Sequence, residues 1–180
     1  MKKVLLIVLA IIIVIAIVLG AVFVNGEKQK SNLNISSVQD MENLISKIYT
    51  GLDDSLPPTL NTTEVDLSNQ DIVKGYSGLE NTEGIKMMVV SEPMIGSQAY
   101  SLVIVQAENS KKANEIAKEM SEKVNPAKWI CVSAEKVYAT SSGDIAILVM
   151  SSEEWANPVY ENFKKEAGNV GEEYLKTVSE

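Results

Sequence analysis

The chain has 180 residues, a formal net charge of −8 and an isoelectric point near 4.7. A surface of that sign repels nucleic acid and anionic lipid headgroups, so nucleic acid is excluded as a partner. Because the chain contains no histidine, it cannot form a Ser-His-Asp triad, a Cys-His pair or a histidine-ligated zinc site on its own. A single cysteine also excludes an intramolecular disulfide framework, so packing must stabilise the fold.

The N-terminus carries Lys2 and Lys3, followed by an uninterrupted apolar run from Val4 to Val24. At 1.5 Å per residue this run makes a helix of about 31 Å, close to the roughly 30 Å hydrocarbon core of a bilayer. Cleaved signal peptides have apolar regions of only about 7–15 residues. We therefore predict an uncleaved membrane anchor over residues 1–25, with the N-terminus cytoplasmic and the remaining chain extracytoplasmic.

The polar residues 26–36 are predicted to be a spacer, and residues 37–180 a single extracytoplasmic domain. A first helix is predicted to begin at Ser37, because Ser37 and Asp40 have the spacing of a capping box, and to end at Gly51. Residues 52–84 are typical of a loop, apart from a short capped helix over 68–74. A connection of that length is expected to pack over the domain or to carry function.

The remaining sequence predicts two consecutive ββα units. The predicted elements are strands over 85–90 and 100–105, a helix capped by Ser110 and stopped by Asn125-Pro126, strands over 129–138 and 145–150, and a helix from Ser152 to Gly168. A last amphipathic helical turn is predicted over 172–178. This order predicts an α+β fold in two layers, with a mostly antiparallel sheet and helices packed on one face. The second strand of each unit is apolar on both faces, which predicts a central position in the sheet.

Two short motifs resemble those of serine enzymes. Gly75-Tyr76-Ser77-Gly78 lacks the final glycine of a nucleophile elbow, because Leu79 stands at that position, and it also lacks a histidine base. Ser133 and Lys136 have Ser-x-x-Lys spacing, but they fall in a predicted strand, where positions i and i+3 face opposite sides. We interpret the first motif as a turn and the second as a coincidence.

Cys131 stands between two apolar residues of a predicted strand, so we expect it to be a buried small hydrophobe. A redox-sensitive thiol or an intermolecular disulfide is the alternative. The acidic residues at 53–54, 153–154 and 172–173, with Asp66 and Asp71, do not fit a calcium loop. Acids at a helix start usually complement its dipole, although two carboxylates that meet in space can form a glycosidase pair. The sequence predicts no catalytic, cofactor-binding or metal-binding residue and no cofactor.

A family resemblance rests on the Tyr100-to-Ala107 strand with the Ala113-to-Met120 helix, and on Lys136-Val137, Gly143-Asp144 and the Ile145-to-Met150 strand. Together these segments resemble a family of uncharacterised extracytoplasmic domains of Gram-positive bacteria, over about residues 38–167. The resemblance implies attachment to the membrane by a lipid or a helix, and it implies no activity or catalytic residue. A lipid-bearing N-terminal cysteine is missing here, so the apolar helix is expected to replace it.

The anchor, the compact acidic domain and the missing catalytic set predict a non-catalytic binding module of the cell envelope. We expect it to bind an envelope protein partner or a small ligand, and to contact the membrane through Val4 to Val24. The alternative is a carboxylate-dependent enzyme that acts on cell-wall or glycan substrates.

Overall fold

The computed structural model describes residues 31–52 and 55–178 of the chain. The predicted anchor over Val4 to Val24 lies outside these residues. Among the helices that are described, none has both the length and the apolar character needed to cross a bilayer.

The described residues form an α+β fold with four helices and six strands. In chain order these are α1 (Val38–Tyr49), β1 (Leu60–Glu64), α2 (Gln70–Ser77), β2 (Ile85–Pro93), β3 (Tyr100–Ala107), α3 (Ser110–Lys123), β4 (Lys136–Ser142), β5 (Ile145–Ser151), α4 (Glu153–Ala167) and β6 (Tyr174–Thr177). The predicted order of two ββα units is confirmed as β2-β3-α3 and β4-β5-α4.

All the strands pair antiparallel in one sheet of order β1-β2-β3-β5-β4-β6. The two predicted hairpins lie side by side, because β3 pairs with β5 from Tyr100↔Ser151 to Gln106↔Ile145. Every residue of β3 and β5 is buried, which confirms that the second strand of each unit is central.

Helices cover both faces of this sheet. On one face α3 packs with α2 through a core of Val73, Ala113, Ile116, Ala117, Met120, Val103, Val105, Leu148 and Met150. On the other face α1 packs with α4 through a core of Met41, Ile45, Ile48, Val159, Phe163, Leu102, Ile104, Ile147 and Val149. The prediction of two layers is therefore wrong. Because β3 and β5 present apolar side chains to both faces, each face needs its own helices.

The first helix begins as predicted, since the Ser37 hydroxyl accepts a hydrogen bond from the Asp40 backbone N–H. The cap of α3 differs by one residue, because the side chain of Asn109, rather than of Ser110, accepts from Lys112 N. Residues 52–84 contain the predicted short helix, extended to Ser77, together with a strand, β1, that was not predicted.

Two further segments differ from prediction. The strand predicted over 129–138 begins only at Lys136, and residues 129–135 form an irregular loop. The tail predicted as a helical turn forms β6, because its backbone pairs with β4 from Ala139↔Tyr174 to Lys136↔Thr177. An unpaired sheet edge offers backbone hydrogen bonds that a short amphipathic helix cannot supply.

Residues 31–36, which we call the N-terminal segment, pack against the domain although they were predicted to belong to a spacer. Asn32 N donates to Ala167 O at 3.0 Å, and Gln106 Nε2 donates to Ile35 O at 2.9 Å. The Ser31 and Ser142 hydroxyls are hydrogen-bonded to each other at 2.9 Å. The folded domain therefore begins at least six residues before the predicted boundary, and the chain enters it beside the β4–β5 turn.

Candidate functional site

The end of the sheet opposite the β4–β5 turn carries two loops that meet. The turn between β2 and β3 (residues 94–99) contacts the connection between α3 and β4 (residues 124–135), where Ile130 N donates to Gly96 O at 3.3 Å. Helix α2 contributes Ile72, Gly75 and Tyr76 at this end. We call this region, formed by the two loops and the exposed face of α2, the open pole.

A pocket of about 370 Å³ lies in the open pole, lined by Ile72, Gly75, Tyr76, Glu92, Lys128 and Trp129. Its α2 wall depends on Gly78, which caps the helix with φ +77°. A Cβ at Gly78 would lie 2.5 Å from the backbone carbon of Lys123. Only glycine therefore lets the end of α2 approach the end of α3 this closely.

Lys128 is the central side chain of the pocket. Its ammonium forms an ion pair with the Glu92 carboxylate, and the two side chains are only 14% and 22% exposed. The same ammonium lies 5.0 Å from the centre of the Tyr76 ring and 5.3 Å from that of Trp129, within the range of cation–π attraction. It also donates to the Ser101 hydroxyl at 3.4 Å.

The two charged side chains of the pocket, Lys128 and Glu92, compensate each other. Burial lowers the pKa of Lys128, and the Glu92 carboxylate opposes that change by favouring the charged amine. Oε1 of Glu92 is buried without an aligned hydrogen-bond donor in the described part of the chain, so the ion pair is what compensates its charge. Burial, together with the Glu92 charge, raises the pKa of Tyr76, which keeps its phenol protonated.

The two loops beside the pocket carry exposed apolar side chains, which we call the apolar rim. Met94 is 78% exposed, Ile95 53% and Ile130 74%, and all three project from the two loops. Over residues 31–52 and 55–178, five large apolar side chains are exposed, and four of them, including Ile72, belong to the open pole. The fifth is Leu175 on β6. Exposed apolar side chains scattered singly need no explanation, whereas a cluster beside a pocket is a candidate binding surface.

Cys131 lies on the same loop and is exposed, so the prediction of a buried small hydrophobe is wrong. Its φ of +61° is a left-handed conformation that a strand cannot contain. The loop turns at this residue and directs the neighbouring Ile130 toward solvent. The apolar run that predicted a strand is therefore part of the rim.

The two serine motifs have structural roles or none. Ser77 is buried at the end of α2, where its hydroxyl donates to Val73 O at 2.6 Å. The motif predicted to be a turn therefore forms the last residues of a helix and its Gly78 cap. Ser133 is exposed in the irregular loop. Lys136 begins β4, and its ammonium pairs with Glu153 at 3.1 Å in the first turn of α4. Neither motif joins a serine to a base.

Among the described residues, three carboxylates have a pKa below the ordinary range. Hydrogen bonds from Ser36 and Ser37 lower that of Asp40, hydrogen bonds from Ser68 lower that of Asp66, and Lys123 lowers that of Glu80. This direction is opposite to the one that a general acid needs. In the described ranges, no group of three or more acidic or cysteine side chains could hold a metal ion.

The acids at 172–173 serve the packing of β6. Glu173 accepts a hydrogen bond from the Tyr160 hydroxyl at 3.1 Å and pairs with Lys164 at 3.1 Å. Glu172 accepts from the Tyr174 hydroxyl at 3.0 Å. The residues at 53–54 lie outside the described ranges. Other described acids share pockets, since Glu64 and Asp66 line one of about 460 Å³ and Glu83, Glu108 and Glu115 line one of about 220 Å³. The hypothesis of a carboxylate enzyme therefore stays a prediction.

Sequence reasoning missed all the charged and aromatic residues of the pocket. Trp129 was treated as the start of a strand, whereas Lys128 and Glu92 fell outside the predicted helices and strands. One signal was present: Met94 and Ile95 stand between Pro93 and Gly96, in a turn where polar residues are usual. Apolar residues in a predicted turn could have indicated an exposed binding loop.

Comparisons of the chain with protein-family models, with curated proteins and with solved structures found no match. The resemblance to extracytoplasmic domains of Gram-positive bacteria stays a prediction. The chemistry of the open pole therefore rests on the geometry of this chain alone.

Proposed function

We propose that this chain is a membrane-anchored, non-catalytic binding module of the cell envelope that binds a protein partner through the open pole. The observation that carries this proposal is the clustering of exposed apolar side chains. Of the five large ones in the described residues, Ile72 lines the pocket, and Met94, Ile95 and Ile130 lie on the two loops that supply Glu92, Lys128 and Trp129 or adjoin them.

The energetic argument follows from what a partner would cover. Removing apolar surface from water contributes about 25 cal/mol per Å². Met94, Ile95 and Ile130 are exposed in the isolated chain, so a partner that covers them gains this free energy. Trp129 and Tyr76 line the neighbouring pocket. Aromatic residues in central pockets dominate the energetics of protein interfaces. The net charge of −8 limits non-specific association with other acidic surfaces.

The position of the open pole supports a partner in the envelope rather than the lipid surface. The N-terminal segment joins the domain at Ser142, whereas the open pole adjoins Lys136 at the other end of β4. Seven residues of strand separate these ends, which is about 20 Å at 3.3 Å per residue. An anchor that precedes Ser31 would attach about 20 Å from the open pole, which supports a partner other than the lipid surface at the attachment point.

In-cell crosslinking of the tagged full-length chain, followed by mass spectrometry, tests this proposal. We expect one dominant envelope partner with the wild type and its loss with Ile130→Asp, because a buried unpaired charge at the rim opposes docking. Leu175→Asp is the matched control, since it places the same charge at an exposed apolar residue of β6. Partners that are identical for all three chains, or absent from all three, would reject the proposal.

A further inference from the structure

We infer that the pocket around Lys128 receives one uncharged aromatic or aliphatic side chain of the protein partner. This inference rests on the proposed function and adds the chemistry of the group that is recognised. Three independent features of the pocket lead to it: its charge balance, its walls and its surroundings.

The charge balance excludes a charged group. The Lys128 ammonium and the Glu92 carboxylate already neutralise each other at low exposure. A second ammonium or carboxylate brought into this half-buried space would lose its hydration without gaining a free counter-charge, which is costly. A neutral side chain leaves the ion pair undisturbed.

The aromatic walls lead to the same conclusion. Tyr76 and Trp129 each place a ring beside the Lys128 ammonium, at 5.0 Å and 5.3 Å. Both rings therefore already interact with the Lys128 ammonium, and they have little attraction left for the cation of a ligand. What remains for a ligand is apolar ring surface together with Ile72, which suits an aromatic ring or a branched aliphatic group.

Size and surroundings indicate a side chain of a protein. The volume of about 370 Å³ lies near the lower end of the roughly 300–1,000 Å³ of ligand pockets, enough for one large side chain. The exposed Met94 and Ile130 extend the apolar surface beyond the pocket. A small ligand inside the pocket would leave this rim uncovered, whereas a protein segment that inserts one side chain covers both.

The test uses the full chain in lipid nanodiscs, labelled with 5-fluorotryptophan. The chain has two tryptophans, so fluorine NMR reports Trp129 in the pocket and Trp155 on α4 as an internal control. The probes are N-acetyl-phenylalaninamide, N-acetyl-lysinamide and N-acetyl-glutamic acid amide. We expect the phenylalanine probe to shift the Trp129 signal and leave Trp155 unchanged, with both charged probes at least about fivefold weaker.

Charge variants sharpen the test. Glu92→Gln leaves the ammonium without its partner, so the glutamate probe should become the preferred one by about fivefold or more. Lys128→Met leaves the carboxylate, so the lysine probe should become preferred. The double variant should return the preference to the phenylalanine probe. A Trp155 signal at the wild-type position verifies in each variant that the domain is folded.

The outcomes separate this inference from the proposed function. A Trp129 signal that responds to no probe, or a wild type that prefers a charged probe, overturns the inference even if the Ile130→Asp crosslinking result stands. A phenylalanine response combined with crosslinking that Ile130→Asp does not change also overturns it, because the group bound would then not come from a protein partner at this surface.

Discussion

The two ends of the sheet differ in how they complete the same fold. At the end where the chain enters, which we call the closed end, hydrogen bonds hold the N-terminal segment: Gln106 donates to Ile35 O and Asp144, and the Ser142 hydroxyl donates to Asn169 O and is hydrogen-bonded to the Ser31 hydroxyl. At the open pole, apolar side chains point into solvent around a pocket. Hydrogen bonds at the closed end fix the N-terminal segment to the domain. The open pole instead exposes apolar side chains, which is typical of a surface that a partner covers.

The largest effect on this comparison is expected from Gly78→Ala. The substitution forces a residue with a Cβ into a left-handed conformation and against the Lys123 backbone, so we expect a loss of about 2–4 kcal/mol in the free energy of unfolding. Gly75→Ala is the matched control in the same helix, where a Cβ meets nothing within 4 Å. It should gain about 0.5–1 kcal/mol from reduced chain entropy.

Chemical denaturation of the full chain in nanodiscs measures both changes. If the two alanine variants lost equal stability, the packing of α2 on α3 would not depend on the glycine at 78. The pocket wall that α2 supplies would then need another explanation.

A smaller effect is expected from Gln106→Leu at the closed end. Gln106 is buried and its amide donates to Ile35 O at 2.9 Å, so removal leaves that carbonyl without its donor and costs about 1–3 kcal/mol. Gln98→Leu is the matched comparison beside the open pole, because Gln98 Oε1 is buried without a hydrogen-bond partner in the described part of the chain. Its replacement should cost less or stabilise.

The same denaturation experiment distinguishes the two glutamines. Equal losses for Gln106→Leu and Gln98→Leu would show that hydrogen bonding does not separate the closed end from the open pole.

The smallest effect is a pH dependence at Asp40, which accepts from the Ser36 hydroxyl at 2.8 Å and the Ser37 hydroxyl at 2.9 Å. These hydrogen bonds and that of the Ser36 N–H hold its folded pKa below the ordinary 3.8. Its stabilisation is therefore complete above pH 3.8 and is lost as the pH falls through the folded value. We expect a lower melting temperature for Asp40→Asn at pH 7, and a gap that narrows toward pH 2. A gap of equal size at both pH values would contradict this.

The sequence predicted those parts of the fold that follow from periodic apolar patterns. The hairpins, α1, α3 and α4 were recognised because their apolar residues recur at strand or helix spacing. β1 was missed because Leu60–Glu64 is polar and pairs only at the sheet edge. The second helical layer was missed although β3 and β5 are apolar on both faces, which already required cover on both sides.

The open pole could not be predicted from a linear pattern. Ile130 and its neighbours have the composition of a strand, and only the left-handed turn at Cys131 reveals that they form an exposed loop. Glu92 and Lys128 are 36 residues apart and pair only after the sheet and α3 are assembled. Apolar residues selected for a partner resemble those selected for a core, and the sequence alone does not separate the two.

The most direct measurement places a photocrosslinking amino acid at Ile130 or at Leu175 of the full-length chain in living cells. Both side chains are exposed and apolar, so random collisions with envelope proteins should label the two positions to a similar extent. The account predicts a strong adduct with one envelope protein from position 130 and none from position 175. Adducts of the same proteins at the same yield from both positions, or from position 175 alone, would contradict the assignment of the open pole as the binding surface.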